Sequence, residues 1–329
     1  MDFTGFLGND AIKRRLSGAF ASGRVAHSYL LCGPAGSGKH TLARILCAAM
    51  ECEKDGAAVP CGVCPGCRKA LAGIHPDVIT VDDPDHKAMT VDPIRAARSD
   101  MFIRPNEGRR KIYVIPRGQD MNESAQNALL KILEEPPAHV IFILTCENRS
   151  QLLETVRSRC VCLTLQPVAW DEAAPVLHSR LPQEPPQELQ RAHSLFGGCI
   201  GQVISGITDG TLQQVLELTP AIGEAIVDPQ ELTLLRLTAR LEKERALTDG
   251  VLAGLILLLR DALAARSGSP TRLSTAPETA LLLAGRLNGA RLMALLETVE
   301  SLQQDVLHSM NNTLFLTRMS ACLRQAAGY

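Results

Sequence analysis

Aromatic residues are scarce in this chain: Phe, Tyr and Trp make up 3% of its 329 residues. That is too few to build a stacking platform for the bases of a single strand. An excess of either charge is also missing. Lys+Arg 34 against Asp+Glu 35 leaves a formal net charge of −1, so any contact with a polyanion has to come from a local basic face. No apolar run approaches the ~18 residues of a membrane span, so no membrane partner is expected. The opening stretch MDFTGFLGND lacks the basic-then-apolar order of a secretory signal. Together these absences point to a cytoplasmic chain.

What is present is the composition of a globular protein with real cores: 46% hydrophobic, 21% charged, mean hydropathy +0.05. At roughly 150 residues per domain, the length suits two or three domains. Eleven cysteines in a chain without an export signal suggest a reducing compartment, where metal ligation is the better first reading than disulfides.

Residues 1 to about 165 alternate short apolar runs with helical patterns, the texture of a βα architecture. The pattern predicts strands at Ser28–Cys32, Val78–Val81, Lys111–Ile115, Val140–Thr145 and Cys160–Leu165. They are apolar almost throughout, as parallel strands covered on both faces are. Helices are predicted at Thr41–Met50, Asp92–Asp100, Glu123–Glu135 and Gln151–Val156. Beyond Pro167 the strands stop. Residues 168–208 read as a small helical unit with a Pro-rich stretch over 181–186 and a Gly197-Gly198 break. From about 210 only helices follow, with Leu232, Leu235, Leu237 and Leu241, then Leu255, Leu258, Leu259 and Leu263, at roughly helical spacing.

The segment Gly33-Pro34-Ala35-Gly36-Ser37-Gly38-Lys39 follows a predicted strand and precedes a helix. In that context it reads as a Walker A loop, whose backbone amides, helix N-terminus and lysine cradle phosphates; the bland alternative is a glycine turn. The next position normally carries a Ser or Thr hydroxyl for Mg²⁺, but here it is His40, a poor ligand for a hard cation. Thr41 is one residue on, about 100° around the helix, and should face elsewhere. The strand Lys111–Ile115 should end in carboxylates and is followed instead by Pro116-Arg117. ATP or ADP can still be held at 33–41, but self-contained hydrolysis is not expected.

Cys52, Cys61, Cys64 and Cys67 occupy a 16-residue window in a Gly/Pro-rich insertion. Four thiolates with overlapping C-x2-C pairs can close a tetrahedral structural Zn²⁺ site. An iron–sulfur cluster, a redox pair and free thiols are the alternatives. The other seven cysteines, Cys32, Cys47, Cys146 and Cys162 among them, read as small packing residues.

The phrase Arg24-Val-Ala-His-Ser-Tyr-Leu-Leu-Cys-Gly-Pro-Ala-Gly-Ser-Gly-Lys39, the four-cysteine insertion, Val91-Asp-Pro-Ile-Arg95, Asn127-Ala-Leu-Leu-Lys-Ile-Leu-Glu-Glu-Pro-Pro137 and the turn Ser158-Arg159-Cys160 resemble bacterial clamp-loader subunits. The resemblance covers about 1–165; the remainder fits by length and order. It implies an AAA+ α/β P-loop domain with a parallel sheet and a zinc-binding insertion at 1–166, a helical lid at 167–208 and an all-α collar at 209–329. It also implies a role in DNA replication, within a hetero-pentamer of DNA polymerase III subunits. The partners would be gamma/tau and delta, and through the assembly the sliding clamp and primed DNA.

Motor subunits of this family carry Asp-Glu where Pro116-Arg117 stands here, and Ser or Thr in place of His40. The resemblance is therefore to a non-motor companion, with an ATP-hydrolysing gamma/tau-type subunit as the alternative. It further implies that Arg159 reaches a neighbour's ATP in trans, where a planar, permanent cation stabilises the transferred phosphoryl group. Read without that family context, Arg159 is a surface arginine. A zinc-dependent DNA-binding module is a third reading, supported only by Arg68 and Lys69 after the cysteines.

Overall fold

A computed structural model describes residues 1–83, 88–242, 244–269, 273–306 and 312–329. They form two compact units, Met1–Glu172 and Ala173–Tyr329.

The first unit is built on five parallel strands: β1 (Ser28–Cys32), β2 (Val78–Thr80), β3 (Lys111–Ile115), β4 (Val140–Cys146) and β5 (Val161–Thr164), in the order β2-β3-β4-β1-β5. The register sets Ser28 opposite Phe142 and Tyr29 opposite Val161. Six helices accompany them: α1 (Asp10–Ala21), α2 (Lys39–Met50), α3 (Pro65–Ala72), α4 (Val91–Asp100), α5 (Glu123–Glu134) and the single turn α6 (Glu154–Arg157).

Side chains alternate across a strand, so each strand feeds two cores. Tyr29, Leu31, Ile112, Ile141 and Ile143 pack with Leu16, Leu42 and Leu46 of α1 and α2. Leu30, Tyr113, Phe142 and Leu144 pack with Ile94, Leu129 and Leu133 of α4 and α5. The stacked rings of Tyr113 and Phe142, 5.2 Å apart, join neighbouring strands on that second face. Burial on both faces is why β1 and β4 are buried at every position, and apolar at all but Ser28 and Thr145, rather than at alternate ones.

The observed β1 and β3 have the predicted bounds, and β2, β4 and β5 differ at their ends by a residue or less. Two helices were not anticipated. In α1 the apolar stripe Ile12, Leu16 and Phe20 is broken in sequence by Lys13, Arg14 and Arg15. In α3 the buried residues are only Cys67 and Ala70, with Pro65 at the first turn. The helix expected at Gln151–Val156 is instead a 3₁₀ turn at Arg149–Gln151 followed by α6. Leu152 and Leu153 are extended between them, because the Leu153 N–H donates to Gln126 Oε1 of α5 at 2.8 Å.

The described residues of the second unit are helical throughout, apart from connections. Its helices are α7 (Trp170–Arg180, which begins in the first unit), α8 (Pro186–Leu195), α9 (Ile200–Thr208), α10 (Thr211–Ile226), α11 (Glu231–Ala239), α12 (Arg245–Arg266), α13 (Pro277–Arg286), α14 (Gly289–Val306) and α15 (Asn312–Ala327). One core runs through it, with Leu218, Ile222, Leu255, Leu258, Leu283 and Leu323 fully enclosed. The leucine spacing is corrected in α11: Leu234 is buried, while Leu232 and Leu235 face outward at 55% and 36% exposure. No helix among the described residues is long and apolar enough to cross a membrane.

Candidate nucleotide and metal sites

The glycine loop links the carboxyl end of β1 to the start of α2, the edge of a parallel sheet where ligands are commonly held. Two glycines there are structural requirements. Gly38 has φ +94°, a left-handed conformation that lets the chain enter α2. A Cβ on Gly33 would lie 2.9 Å from Ser37 Oγ and 3.1 Å from the Leu165 carbonyl oxygen. The Lys39 ammonium folds back onto the loop, donating to the carbonyls of Gly33 at 2.6 Å and Pro34 at 2.7 Å. Ser37 Oγ is buried with no hydrogen-bond partner among the described residues. A spare hydroxyl, a lysine and the N-terminus of a 12-residue helix form a donor set that fits a phosphate.

The metal side of this loop differs. Thr41 is exposed on α2. Desolvation, then the cations of Lys39, Arg44 and Arg117, hold the His40 imidazole below its ordinary pKa and favour the neutral ring. At the tip of β3, Arg117 adopts φ +49°, a conformation rare outside glycine. Several bonds hold it there. Its N–H donates to Thr145 Oγ1 at 3.2 Å, and Nη2 donates to Asp82 Oδ1 at 2.9 Å. Nε lies 3.6 Å from Asp120 Oδ2. A guanidinium thus stands beyond the strand where a metal-binding carboxylate is expected, and it engages both of these acids. Thr145 is fully buried and accepts from the backbone of Arg117, a structural task.

Arg159 lies at the other end of β1. Its carbonyl accepts from Ser28 Oγ at 2.6 Å, while the glycine loop begins after Cys32. At about 3.3 Å per residue, the strand separates the two by roughly 13 Å or more. The guanidinium donates to Glu134 Oε1 of α5 at 2.8 Å and to the Thr155 carbonyl at 2.9 Å, with the side chain 35% exposed. Such an exposed pair is worth ~0–1 kcal/mol, so it surrenders the guanidinium readily to another anion. Arg157 differs: it is half-buried, and its Nε has no partner among the described residues.

The sulfurs of Cys52, Cys61, Cys64 and Cys67 converge within 4.8 Å of one another. A tetrahedral ion with bonds of about 2.3 Å needs sulfurs about 3.8 Å apart, and Cys61 Sγ and Cys67 Sγ are 4.0 Å apart. The overlapping C-x2-C pairs turn backbone amides onto sulfur: Cys64 N donates to Cys61 Sγ and Cys67 N to Cys64 Sγ, each at 3.4 Å. The amides of Cys64 and Val63 push the Cys61 thiol down to about 6, favouring the thiolate that a metal needs. The group fits a metal ion, with four protein ligands and no open position.

A buried acid secures the loop packed against this cluster. The Asp77 carboxylate accepts from Asn106 N at 2.6 Å, Glu107 N at 2.9 Å and Gly108 N at 2.7 Å. The next residue, Arg109, reaches the cysteine insertion through Glu51 Oε2 at 3.1 Å and Asp55 Oδ1 at 2.5 Å. Burial raises the Asp77 pKa, but the three amides outweigh it and the net shift is downward. A folded-state pKa below the unfolded ~3.9 gives stability that is complete above that value and lost as pH falls through the folded one. Asp77→Asn is therefore expected to cost about 2–4 kcal/mol at pH 7. In urea titrations its gap to wild type should narrow towards pH 3; a gap independent of pH would contradict this.

Sequence reading missed a basic groove between α4 and α5. Arg95, Arg98 and Lys131 line it with Ser124 and Asn127, around a volume of about 420 Å³. The i,i+3 spacing of Arg95 and Arg98 was visible, but Lys131 joins them only through the packing of two helices.

A profile of the family described as DNA polymerase III, delta subunit, matches residues 8–169. The tau subunit of DNA polymerase III from Salmonella typhimurium is 31% identical over 252 residues, covering 76% of this chain and 38% of that protein. The delta′ subunit from Pseudomonas aeruginosa is 36% identical over 174 residues, 53% of each chain. The gamma/tau subunit from Mycobacterium bovis is 38% identical over 160 residues, covering 48% of this chain and 27% of its own length. The chain spans about a quarter to about half of the length of these curated relatives.

Proposed function

The match over residues 8–169 and the relatives named tau, gamma and delta′ support the DNA polymerase III clamp-loader family as that of this chain, and from that premise we propose that it is a subunit of the delta-prime type. In this reading it is a largely structural member of a hetero-pentamer with gamma/tau and delta, which loads the sliding clamp onto primed DNA. Residues 1–166 are the AAA+ module, 167–208 the lid and 209–329 the collar. Cys52, Cys61, Cys64 and Cys67 hold a structural Zn²⁺. The loop 33–41 accommodates ATP or ADP without turning it over, and Arg159 completes a neighbour's site in trans. The α4–α5 groove, with Arg95, Arg98 and Lys131, offers a local basic face on a chain of near-neutral net charge.

One observation carries the choice of a companion over a motor: Arg117, clamped by Asp82 and Asp120 at the tip of β3. A fixed cation there opposes Mg²⁺ and draws the two neighbouring carboxylates onto itself, away from organising in-line attack by water. His40 and the glutamine at Gln202 in α9, where the family resemblance implies a basic residue, support the same reading. The purified chain is expected to hydrolyse ATP no faster than its Lys39→Ala variant, measured as phosphate release in Mg²⁺ buffer. Turnover abolished by Lys39→Ala would instead establish a gamma/tau-type motor.

A further inference from the structure

Cys32 and Cys146 lie side by side at the carboxyl ends of β1 and β4, as partners in the parallel register. Neighbouring strands run about 4.8 Å apart, within the Cα separation that a disulfide spans. Their sulfurs are 3.3 Å apart, the Cys146 thiol donating to Cys32 Sγ. Both side chains are buried, yet Cys32 forms part of the wall of a cavity of about 420 Å³, together with Gly33, Asn148, Arg149 and Thr164. A small oxidant entering there reaches the wall that Cys32 helps to form, and the Cys32 sulfur is in contact with that of Cys146. The hydrogen bond from Cys146 holds the Cys32 thiol below its ordinary pKa against the effect of burial, aided by Arg149, Lys39 and Arg157. The same contact, with burial, pushes Cys146 up. The readier thiolate therefore belongs to the residue in the cavity wall.

We propose that Cys32 and Cys146 are a redox modification site, closed to a disulfide by a peroxide that enters through the cavity at the strand ends. The Cys32 thiolate attacks one peroxide oxygen, the O–O bond breaks, and the departing oxygen takes up a proton and leaves as water. Cys32 is then a sulfenic acid. Cys146 gives up its proton and attacks that sulfur; the S–S bond forms, the S–O bond breaks, and the second oxygen leaves as water. Two thiols lose two electrons, and hydrogen peroxide is reduced to two waters. Gly33 N donates to the Cys146 carbonyl at 3.1 Å, so the bond ties the two strands together at the root of the glycine loop.

The test treats the full-length, metal-loaded chain with hydrogen peroxide under conditions that leave its circular dichroism unchanged. Remaining thiols are then blocked and tryptic peptides mapped by mass. Each sulfur is alone in its peptide, Cys32 in 25–39 and Cys146 in 132–149, so one linked mass identifies the bond. The linked pair is expected to accumulate and to revert with dithiothreitol. In Cys146→Ala it should be replaced by a Cys32 sulfenic acid that dimedone captures. Recovery of both residues as free thiols, or linkage confined to Cys52, Cys61, Cys64 and Cys67, would overturn the assignment. If Cys146→Ala does not fold, the wild-type map alone decides the question.

Discussion

Replacing Arg159 by alanine in a reconstituted assembly with a motor partner is expected to slow ATP hydrolysis about 10³-fold or more at the site it completes, the scale on which a trans arginine acts. The expectation rests on placement. Arg159 sits at the amino end of β1, away from its own chain's glycine loop, and among the described residues one half-exposed carboxylate and one carbonyl hold its guanidinium. Lysine at 159 should not restore the rate, since it keeps the charge but loses the planar fork. Glu134→Ala removes the resting partner of Arg159 and should leave turnover intact. Single-turnover measurements on the assembled complex separate the affected site from any others. A full-amplitude, full-rate burst with Arg159→Ala would return the residue to the status of a surface arginine.

The second large effect concerns the cysteine cluster. Purified under reducing conditions, the chain is expected to carry one zinc per molecule, and Cys67→Ser should lose it. Cys67 is fully buried, its thiol donates to the Ala48 carbonyl at 3.3 Å, and it opens onto the other three sulfurs. The four ligands close a 16-residue window, and a covalent closure of that size contributes about 3 kcal/mol. The first unit also has two cores of its own, so metal loss should weaken it by about 3 kcal/mol or more without abolishing the fold. Elemental analysis with urea titration of wild type and Cys67→Ser measures both. Equal stability of the two proteins, with neither holding metal, would remove the cluster as a structural site.

How far the sequence could be read depended on where the signal was stored. The strands were legible almost to the residue, because burial on both faces leaves an unbroken apolar run such as Val140–Leu144. In α1 the core-facing residues are only three in twelve, set among Lys13, Arg14 and Arg15. In α11 the spacing was helical, but it did not reveal that Leu234 faces the core and Leu232 faces solvent. At the site, the missing acids and the cysteine spacing were explicit in the sequence. The left-handed turn at Arg117, with its bonds to Asp82 and Thr145, and the groove that Lys131 shares with Arg95 and Arg98 depend on residues far apart in the chain. No local pattern encodes them.

The two ends of β1 are chemically unlike. One carries the glycine loop bordered by a clamped cation, and the other presents a guanidinium on a weak tether. In the proposed row of such domains, each placing its arginine against the next one's loop, this chain would give but have little use for what it would receive. On the proposed reading it would be a terminus and not a link. Placed in a ring, it would set the single point at which the chemistry stops and from which the remaining positions can be counted.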